Sequence, residues 1–278
     1  MANDGSDSWL GLAGRVCVVT GAGSGIGEGV ARELALLGAY VAVLDRDEKS
    51  SGSVAASIRG AGGQAVAVVA DVADESAVAA AAQLVANELG PCQVLVNNAA
   101  LVSGSTGALM TADLGLWNRM LGVNLTGALI CTRAFAAQMV AMGHGGSIVN
   151  VSSICGHMPR PLGGAYSVSK AGLMMMTRML SLELAEHRIR CNSVSPAWVR
   201  TPASEAIYSD PEIGGKRRQL VPVGRISDPV DLANAVAFLA SDRAGYVNGQ
   251  DILVDGGLTQ TLLNMVPKPS RPMTPDKP

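Results

Sequence analysis

Charged and aromatic side chains are scarce in this chain of 278 residues, where they make up 16% and 3% of the positions. The 21 basic side chains do not outnumber the 23 acidic ones, so no positive excess is present to neutralise a phosphate backbone. Nucleic-acid binding is therefore not expected. Hydrophobic residues reach 48%, which excludes disorder over most of the length and predicts a core of small aliphatic side chains.

Paired cysteines and long apolar runs are also lacking. The five cysteines are odd in number and never form a CxxC pair, so we expect reduced thiols and neither a disulfide framework nor a zinc site. Residues 1–14 contain no basic residue and no apolar run, unlike a secretory signal, and the uncharged stretches elsewhere are interrupted by Gly, Asn and His. These absences predict a cytoplasmic protein with no bound metal and no membrane partner.

Short β-branched runs alternate with longer helical segments from about residue 15 onward. The predicted strands are residues 16–20, 40–45, 64–71, 93–98, 146–153 and 189–195. Helical apolar spacing lies between them, for example at 26–38 and 74–90, where Asp74 is a suitable N-cap. This alternation predicts an α/β fold with one Rossmann-type domain, a doubly wound parallel sheet with helices on both faces.

The domain is expected to span residues 1–258, because no linker interrupts the pattern before that point. Residues 259–278 contain five prolines, which continue neither a helix nor a central strand, so they are predicted to be a separate tail. A flexible end and a segment packed across a subunit boundary both fit this composition.

A glycine-rich loop, TGAGSGIG, follows the first predicted strand at residues 20–27 and leads into a helix. Such glycines let the backbone approach a pyrophosphate, and the free amides at the helix start bind it, although a turn that serves only packing has the same composition. The second strand ends at Asp45, where a carboxylate accepts hydrogen bonds from ribose hydroxyls and repels a 2′-phosphate. This predicts NAD as the cofactor, while Arg46 leaves a route to NADP.

Tyr166 and Lys170 are four residues apart, so on a helix they share one face and the ammonium lies close to the phenol. A fixed cation lowers the pKa of a phenol, which makes Tyr166 a usable acid or base at neutral pH. The pair alone is also common on protein surfaces. Ser153 lies upstream at the end of a predicted strand, where open parallel sheets place ligands.

Seven short motifs together resemble the classical short-chain dehydrogenase/reductase family over residues 10–258. They are TGAGSGIG at 20–27, DV at 71–72, NNAA at 97–100, VNL at 123–125, SS at 152–153, YSVSK at 166–170 and SPAWVRT at 195–201. The chain departs from the family at Ala100 and Ala197, where glycine is usual, so each loop carries an added methyl group. The resemblance implies a nicotinamide-dependent oxidoreductase.

The resemblance implies a role for each matched position. Tyr166 would exchange a proton with the substrate oxygen, and Ser153 would hydrogen-bond that oxygen. Lys170 would hold the nicotinamide ribose and lower the tyrosine pKa, while Asn124, on a bent helix, would bind a relay water. The implied catalytic residues are Asn124, Ser153, Tyr166 and Lys170. The implied cofactor-binding residues are Gly21, Ser24, Gly25, Ile26, Gly27, Asp45, Arg46, Asp71, Val72, Asn98, Ala99, Tyr166, Lys170, Pro196, Val199 and Thr201.

Substrate is expected between the 153–166 segment and a lid at about residues 200–225. The side chains there are mostly apolar or aromatic, which favours a hydrophobic or aryl-bearing alcohol. The candidate substrate contacts are Ser153, Cys155, Met158, Trp198 and Tyr208. His157 is predicted to be solvated, and the basic run at 216–218 to be an exposed helix face, with a grip on an anion or an acyl carrier as the alternative.

We therefore predict an NAD-dependent enzyme that interconverts a secondary alcohol and its ketone. Reduction of a 3-oxoacyl thioester and dehydrogenation of a sugar-type substrate are the alternatives within the same chemistry. A non-catalytic dinucleotide sensor or scaffold is a further alternative, and it predicts the loss of catalytic side chains. The resemblance also implies a homotetramer or homodimer formed by the helices after Asp113 and Gly163 and by the last strand near Leu253.

Overall fold

Seven parallel strands form one sheet in the order β3-β2-β1-β4-β5-β6-β7 in the computed structural model, which describes residues 9–102 and 107–261. The strands are β1 (Val16–Thr20), β2 (Tyr40–Asp45), β3 (Gln64–Val69), β4 (Val94–Asn97), β5 (Gly146–Val151), β6 (Ile189–Pro196) and β7 (Asp251–Val254). The strand order reverses between β1 and β4, which opens a crevice at the carboxyl edge of the sheet. The predicted doubly wound sheet is confirmed.

The six predicted strands agree with the structure to within two residues at either end. β7 is not among the six apolar runs, and it contains Leu253, near which the resemblance implies a last strand. Most of the predicted proline-rich tail, from residue 262 onward, lies outside the described residues.

Helices cover both faces of the sheet and supply the crossovers between strands. They are α1 (Gly25–Leu36), α2 (Glu48–Gly60), α3 (Glu75–Glu88), α4 (Leu114–Leu121), α5 (Gly127–Met142), α6 (Ile154–His157), α7 (Gly164–Glu183), α8 (Glu205–Ser209), α9 (Pro211–Leu220) and α10 (Pro229–Ala240). Asp74 caps α3 as predicted, since its carboxylate accepts hydrogen bonds from the amides of Ser76 and Ala77 at 2.9 and 3.0 Å.

The core consists of two apolar clusters, one on each face of the sheet. Successive residues of a strand point to opposite faces, so Val18 packs toward Phe135 of α5 while Val19 packs toward Leu34 of α1, and all four are fully buried. This is why the strands have continuous apolar sequences. All five cysteines are unpaired, in agreement with the expectation of reduced thiols.

One helical run is long and apolar enough to cross a membrane, judged by length and composition alone. It covers Leu114–Met142, where α4, a π-helical turn at Gly122–Thr126 and α5 follow one another, and its mean hydropathy is 1.4. In this structure α5 buries Phe135 and Met139 against the sheet. A core helix passes the same test as a membrane span, so the run is weak evidence for a membrane.

Candidate active site

The glycine loop lies at the carboxyl end of β1 and enters α1. Gly21 and Gly25 have φ values of 63° and 59°, a region that favours glycine. A Cβ on Gly27 would lie 2.2 Å from the carbonyl oxygen of Gly21, so the loop folds onto the first helical turn too closely for a side chain. Within the described part of the chain, the side chain of Ser24 caps none of the first amides of α1, which include Ile26. These amides are therefore free to bind an anion.

Neighbouring strands hold this loop in shape. The Oδ2 atom of Asp45, at the end of β2, accepts a hydrogen bond from the amide of Gly23 at 2.9 Å. On the other side, Asn98 donates through Nδ2 to the carbonyl oxygens of Thr20 and Gly21 at 2.9 and 3.1 Å. The Asp45 carboxylate thus lies against the loop that would carry the pyrophosphate, as an adenosine ribose site requires.

Four other predicted cofactor residues also lie at the carboxyl edge. Arg46 and Asp71 are exposed just beyond β2 and β3, and Asp71 accepts a hydrogen bond from the amide of Ala73 at 2.9 Å. Val72 and Ala99 line one shallow depression beside β1 and α5. The exposed guanidinium of Arg46 leaves both cofactor choices sterically open.

The segment after β6 passes over the same groove. β6 ends at Pro196, and Val199 pairs with Ser227 in a single parallel bridge. Further on, the methyl group of Thr201 would lie 3.3 Å from a Cβ added to Gly25, so this segment reaches the glycine loop. The glycine loop and the segment after β6 therefore face each other across the proposed cofactor site.

Ser153, Tyr166 and Lys170 come together where β5 ends and α7 begins. Ser153 is the N-cap of α6, where its hydroxyl oxygen accepts from the amide of Cys155 at 3.1 Å, and its side chain is close enough to the Tyr166 phenol to act on the pKa of that group. The Nζ atom of Lys170 lies 5.9 Å from the centre of the Tyr166 ring and donates to the carbonyl oxygen of Val151 at 2.7 Å. Ser152 instead donates to the Lys170 carbonyl at 3.0 Å, away from the phenol. Ser153 is therefore the serine that faces the tyrosine.

Burial, and not the short distance between the two side chains, has the largest effect on the pKa values of Tyr166 and Lys170. Burial raises the pKa of Tyr166, and the side chain of Ser153 acts in the opposite direction. Burial also lowers the pKa of Lys170 from 10.5 to about 8. The structure thus departs from the expectation that the ammonium lowers the tyrosine pKa, because loss of hydration is the larger effect on the phenol.

Asn124 lies in the π-helical turn between α4 and α5, at the place where the resemblance implies a bend. Its Oδ1 atom accepts from the amide of Leu101 at 2.7 Å, and its Nδ2 atom donates to Ser169 Oγ at 3.2 Å. Ser169 in turn donates to the carbonyl oxygen of Tyr166 at 2.7 Å. The π-turn therefore connects to the catalytic helix through Ser169, a residue that the sequence motifs did not single out.

The predicted lid contains α8 and α9, which bring a cation against two aromatic rings. The guanidinium carbon of Arg217 lies 5.1 Å from the centre of the Trp198 ring and 5.5 Å from that of Tyr208. Lys216 and Arg218 are exposed as predicted, but Arg217 is half-buried, so the exposed-face prediction is wrong for this residue. The sequence shows that residues 216–218 are basic, but it does not show which of the three side chains packs against the protein.

His157 is exposed, as predicted, but it also has a buried partner that the sequence did not reveal. Its Nε2 atom lies 2.7 Å from Asp251 Oδ2, and only 7% of the Asp251 side chain is exposed. The other carboxylate oxygen accepts from the hydroxyl of Ser195 at 2.9 Å. His157 therefore ties α6, and with it Ser153, to β7. The two partners are 94 positions apart, so no local pattern reveals the pair.

The other predicted substrate contacts lie on two segments. Cys155 is half-buried in α6, and Met158 is exposed just after it. Tyr208 is buried within the lid, on α8, and burial raises its pKa while Arg217 acts in the opposite direction. The structure therefore offers Trp198, Met158 and Arg217 as accessible groups near the carboxyl edge.

A dinucleotide-type sheet with a Ser, Tyr and Lys cluster at its carboxyl edge defines an oxidoreductase of the Rossmann class. The chain belongs to the short-chain dehydrogenase/reductase family, and it is an alcohol oxidoreductase of that family, whose members bind a nicotinamide dinucleotide. A family profile described as Enoyl-(Acyl carrier protein) reductase matches residues 21–259.

Similar proteins are named as dehydrogenases of several hydroxylated compounds. Cis-4-hydroxycyclohexanecarboxylate dehydrogenase of Sinomonas cyclohexanicum is 41% identical over 248 residues, 89% of this chain and 98% of that protein. 2,3-Dihydro-2,3-dihydroxybenzoate dehydrogenase of Bacillus subtilis is 35% identical over 258 residues, covering 90% and 97%. A gluconate 5-dehydrogenase of Burkholderia cenocepacia, solved with NADP and tartrate, superposes with a TM-score of 0.82 at 33% identity, covering 89% and 96%.

Proposed function

We propose that this protein oxidises a secondary alcohol on a ring to the ketone, with NAD as its cofactor. The observation that carries the proposal is the phenol of Tyr166, with Ser153 beside it and Lys170 Nζ 5.9 Å from its ring centre, at the sheet edge that also holds the glycine loop. When bound, the nicotinamide dinucleotide supplies the hydride acceptor. The names of the two relatives, a hydroxycyclohexane and a dihydrodiol dehydrogenase, support a ring alcohol.

Residues of this chain would bind the alcohol and the cofactor and would accept the proton. Tyr166 takes the hydroxyl proton of the alcohol, and Ser153 hydrogen-bonds the same oxygen, which holds the developing carbonyl in place. Lys170 uses one of its three N–H donors on Val151, so two are left for ribose hydroxyls of the cofactor. Asn124 holds the segment beside Leu101 and α7 in place, consistent with a relay water at the π-turn.

The preference for NAD rests on Asp45. Its carboxylate accepts a hydrogen bond from the amide of Gly23. In this position it can also accept hydrogen bonds from ribose hydroxyls, and it would repel a 2′-phosphate. The exposed Arg46 next to it and the NADP bound in the gluconate 5-dehydrogenase favour the opposite choice. We weigh Asp45 more heavily, because it is fixed by the loop itself whereas Arg46 is exposed.

A sugar acid is a second candidate substrate, since a gluconate 5-dehydrogenase shares the fold over 89% of this chain. Both candidates are secondary alcohols, so the same four catalytic residues serve either. Ring alcohols and polyols differ in their need for polar contacts, and a substrate screen separates them.

The test is a screen of ring alcohols and sugar acids for appearance of the reduced cofactor, with NAD and with NADP. Tyr166→Phe is expected to lose turnover by about a hundredfold or more, since it removes the acid/base group. Tyr246→Phe is the matched control, because that tyrosine is fully exposed and should leave turnover unchanged. Turnover by Tyr166→Phe at the wild-type rate would overturn the proposed mechanism.

The cofactor choice has its own test. Asp45→Ala should increase the NADP/NAD ratio of kcat/KM by about tenfold or more, because a carboxylate no longer faces the 2′-phosphate. A wild-type enzyme that prefers NADP would contradict the assignment of NAD.

We also propose a cytoplasmic homodimer or homotetramer. α7 exposes Met175, Met179 and Leu182, and Leu182 retains 79% of its accessible surface, which favours a face covered by another subunit. Light scattering of the wild type and of Met179→Lys tests this, since a charge on a subunit interface should dissociate the oligomer. A monomeric wild type would exclude it.

A further inference from the structure

One cation in the lid has no acidic partner although it is half-buried. Two other cations of the lid are paired, Lys216 with Glu212 at 2.7 Å and Arg200 with Glu205 at 2.7 Å, and Arg218 is exposed to solvent. Among the residues that the structure describes, no carboxylate forms a salt bridge with Arg217. A charge removed from water without a counterion is costly, so such a group needs an anion from elsewhere.

Two aromatic rings fix the orientation of this guanidinium. Its carbon lies 5.1 Å from the centre of the Trp198 ring and 5.5 Å from that of Tyr208, within the range of cation–π attraction. Its charge opposes the rise that burial causes in the pKa of Tyr208. The rings cover guanidinium faces, and the N–H groups that remain lie at its edge, where a carboxylate binds in bidentate fashion.

Arg217 lies beside the segment that leaves the end of β6. Trp198 follows the end of β6 by two residues, and β6 is paired with β5, which leads into Ser153. The same segment continues to Thr201, whose methyl group would lie 3.3 Å from a Cβ added to Gly25. The cation contacts this segment at Trp198, the end nearer to β6 and to the strand that leads into Ser153.

We propose that Arg217 binds a carboxylate of the substrate, so that the enzyme acts on a secondary alcohol whose ring or chain also carries an acid group. This inference rests on the proposed function, which supplies the alcohol, and it adds the anionic group. Trp198 and Tyr208 act as positioning residues for the guanidinium.

The test measures binding by calorimetry, in the presence of NAD, of two probes that cannot be oxidised: cyclohexanecarboxylate and the neutral cyclohexanecarboxamide. The wild type should bind the carboxylate about tenfold or more tightly than the amide, and Arg217→Gln should remove that difference. Arg218→Gln, with the same charge change at an exposed neighbour, should keep it. Arg217→Lys should retain part of it, since a point charge lacks the planar fork.

Three results would overturn the inference. They are equal wild-type affinity for the two probes, unchanged discrimination in Arg217→Gln, and equal loss of both probes in that variant, which would mean that Arg217 only packs the lid. A specific rise in the Kd for NAD or NADP in Arg217→Gln would assign the cation to the cofactor and would also overturn it.

Turnover separates this inference from the proposed function. If the enzyme oxidises neutral and acidic ring alcohols equally well, and Arg217→Gln changes neither, the inference fails while the proposed function stands. If the wild type discriminates between the probes and oxidises no secondary alcohol, the anion site at Arg217 stands and the proposed function fails.

Discussion

Replacing Gly27 with alanine tests whether the loop after β1 is a cradle for phosphate or only a turn. A Cβ at this position would lie 2.2 Å from the carbonyl oxygen of Gly21 and 2.4 Å from Asn98 Nδ2, where ordinary contacts begin near 3.4 Å. Overpacking of this kind costs about 1–3 kcal/mol. The gain from replacing a helical glycine with alanine is only about 0.5–1 kcal/mol, so we expect a net loss of up to about 2 kcal/mol.

Gly52→Ala in α2 is the matched control, because it makes the same chemical change in a helix with nothing within 4 Å of the new methyl group. At about 2–4 °C per kcal/mol, Tm should fall by several degrees in Gly27→Ala and rise by about 1–4 °C in Gly52→Ala. Circular dichroism measures both changes.

The same two variants separate stability from cofactor binding. To accept the methyl group, the loop must move away from α1, which displaces the amides that would bind the pyrophosphate. Gly27→Ala should therefore bind NAD at least about tenfold more weakly in calorimetry, while Gly52→Ala binds as the wild type does. If both variants gain stability and bind NAD equally well, Gly27 does not pack as closely against Gly21 and Asn98 as described, and the prediction is refuted.

Three further predictions concern buried charge. Lys170 has a pKa of about 8 in the folded protein and 10.5 as its ordinary value, so the unfolded chain binds more protons between these pH values. The free energy of unfolding of the wild type relative to Lys170→Met, measured in urea, should therefore increase by about 3 kcal/mol from pH 8 to pH 10.5. Because burial raises the pKa of Tyr166, alcohol oxidation, which needs the deprotonated phenol, should accelerate from neutral to alkaline pH, and ketone reduction should not. Asp251→Ala should lower the unfolding free energy by about 1–3 kcal/mol, because it removes a buried acceptor; Glu75→Ala, which breaks only an exposed pair, should cost no more than about 1 kcal/mol.

The fold was predictable because the strands are buried on both faces. Each run of Val, Ile, Ala and Leu needed a helix on either side, and the alternation along the chain then required parallel crossovers. The apolar-run reasoning did not include β7, for which only the resemblance implied a strand, near Leu253. The placement of the motifs at the carboxyl edge followed from the topology alone.

The pairings within the site were not predictable to the same degree. His157 and Asp251 meet only because α6 lies beside β7, and Arg217 meets Trp198 only because α9 folds back toward the end of β6. In both cases the sequence shows the residue types but not the partner, since the contacts join segments far apart in the chain. The basic run at 216–218 contains three similar cations, and tertiary packing selects one of them.

The pKa values of Tyr166 and Lys170 could not be predicted from the spacing of the two residues along a helix. Spacing alone makes the ammonium favour the phenolate, yet burial penalises each charge separately, raising one pKa and lowering the other. A phenolate and an ammonium that form together compensate each other, whereas either one alone is left in a poorly hydrated site. The deprotonated phenol is therefore expected to be more stable while Lys170 is protonated. Removal of the ammonium in Lys170→Met should then raise the pKa of Tyr166 further and move the rise in the oxidation rate to higher pH. An unchanged pH profile in that variant would mean that Lys170 contributes to binding alone.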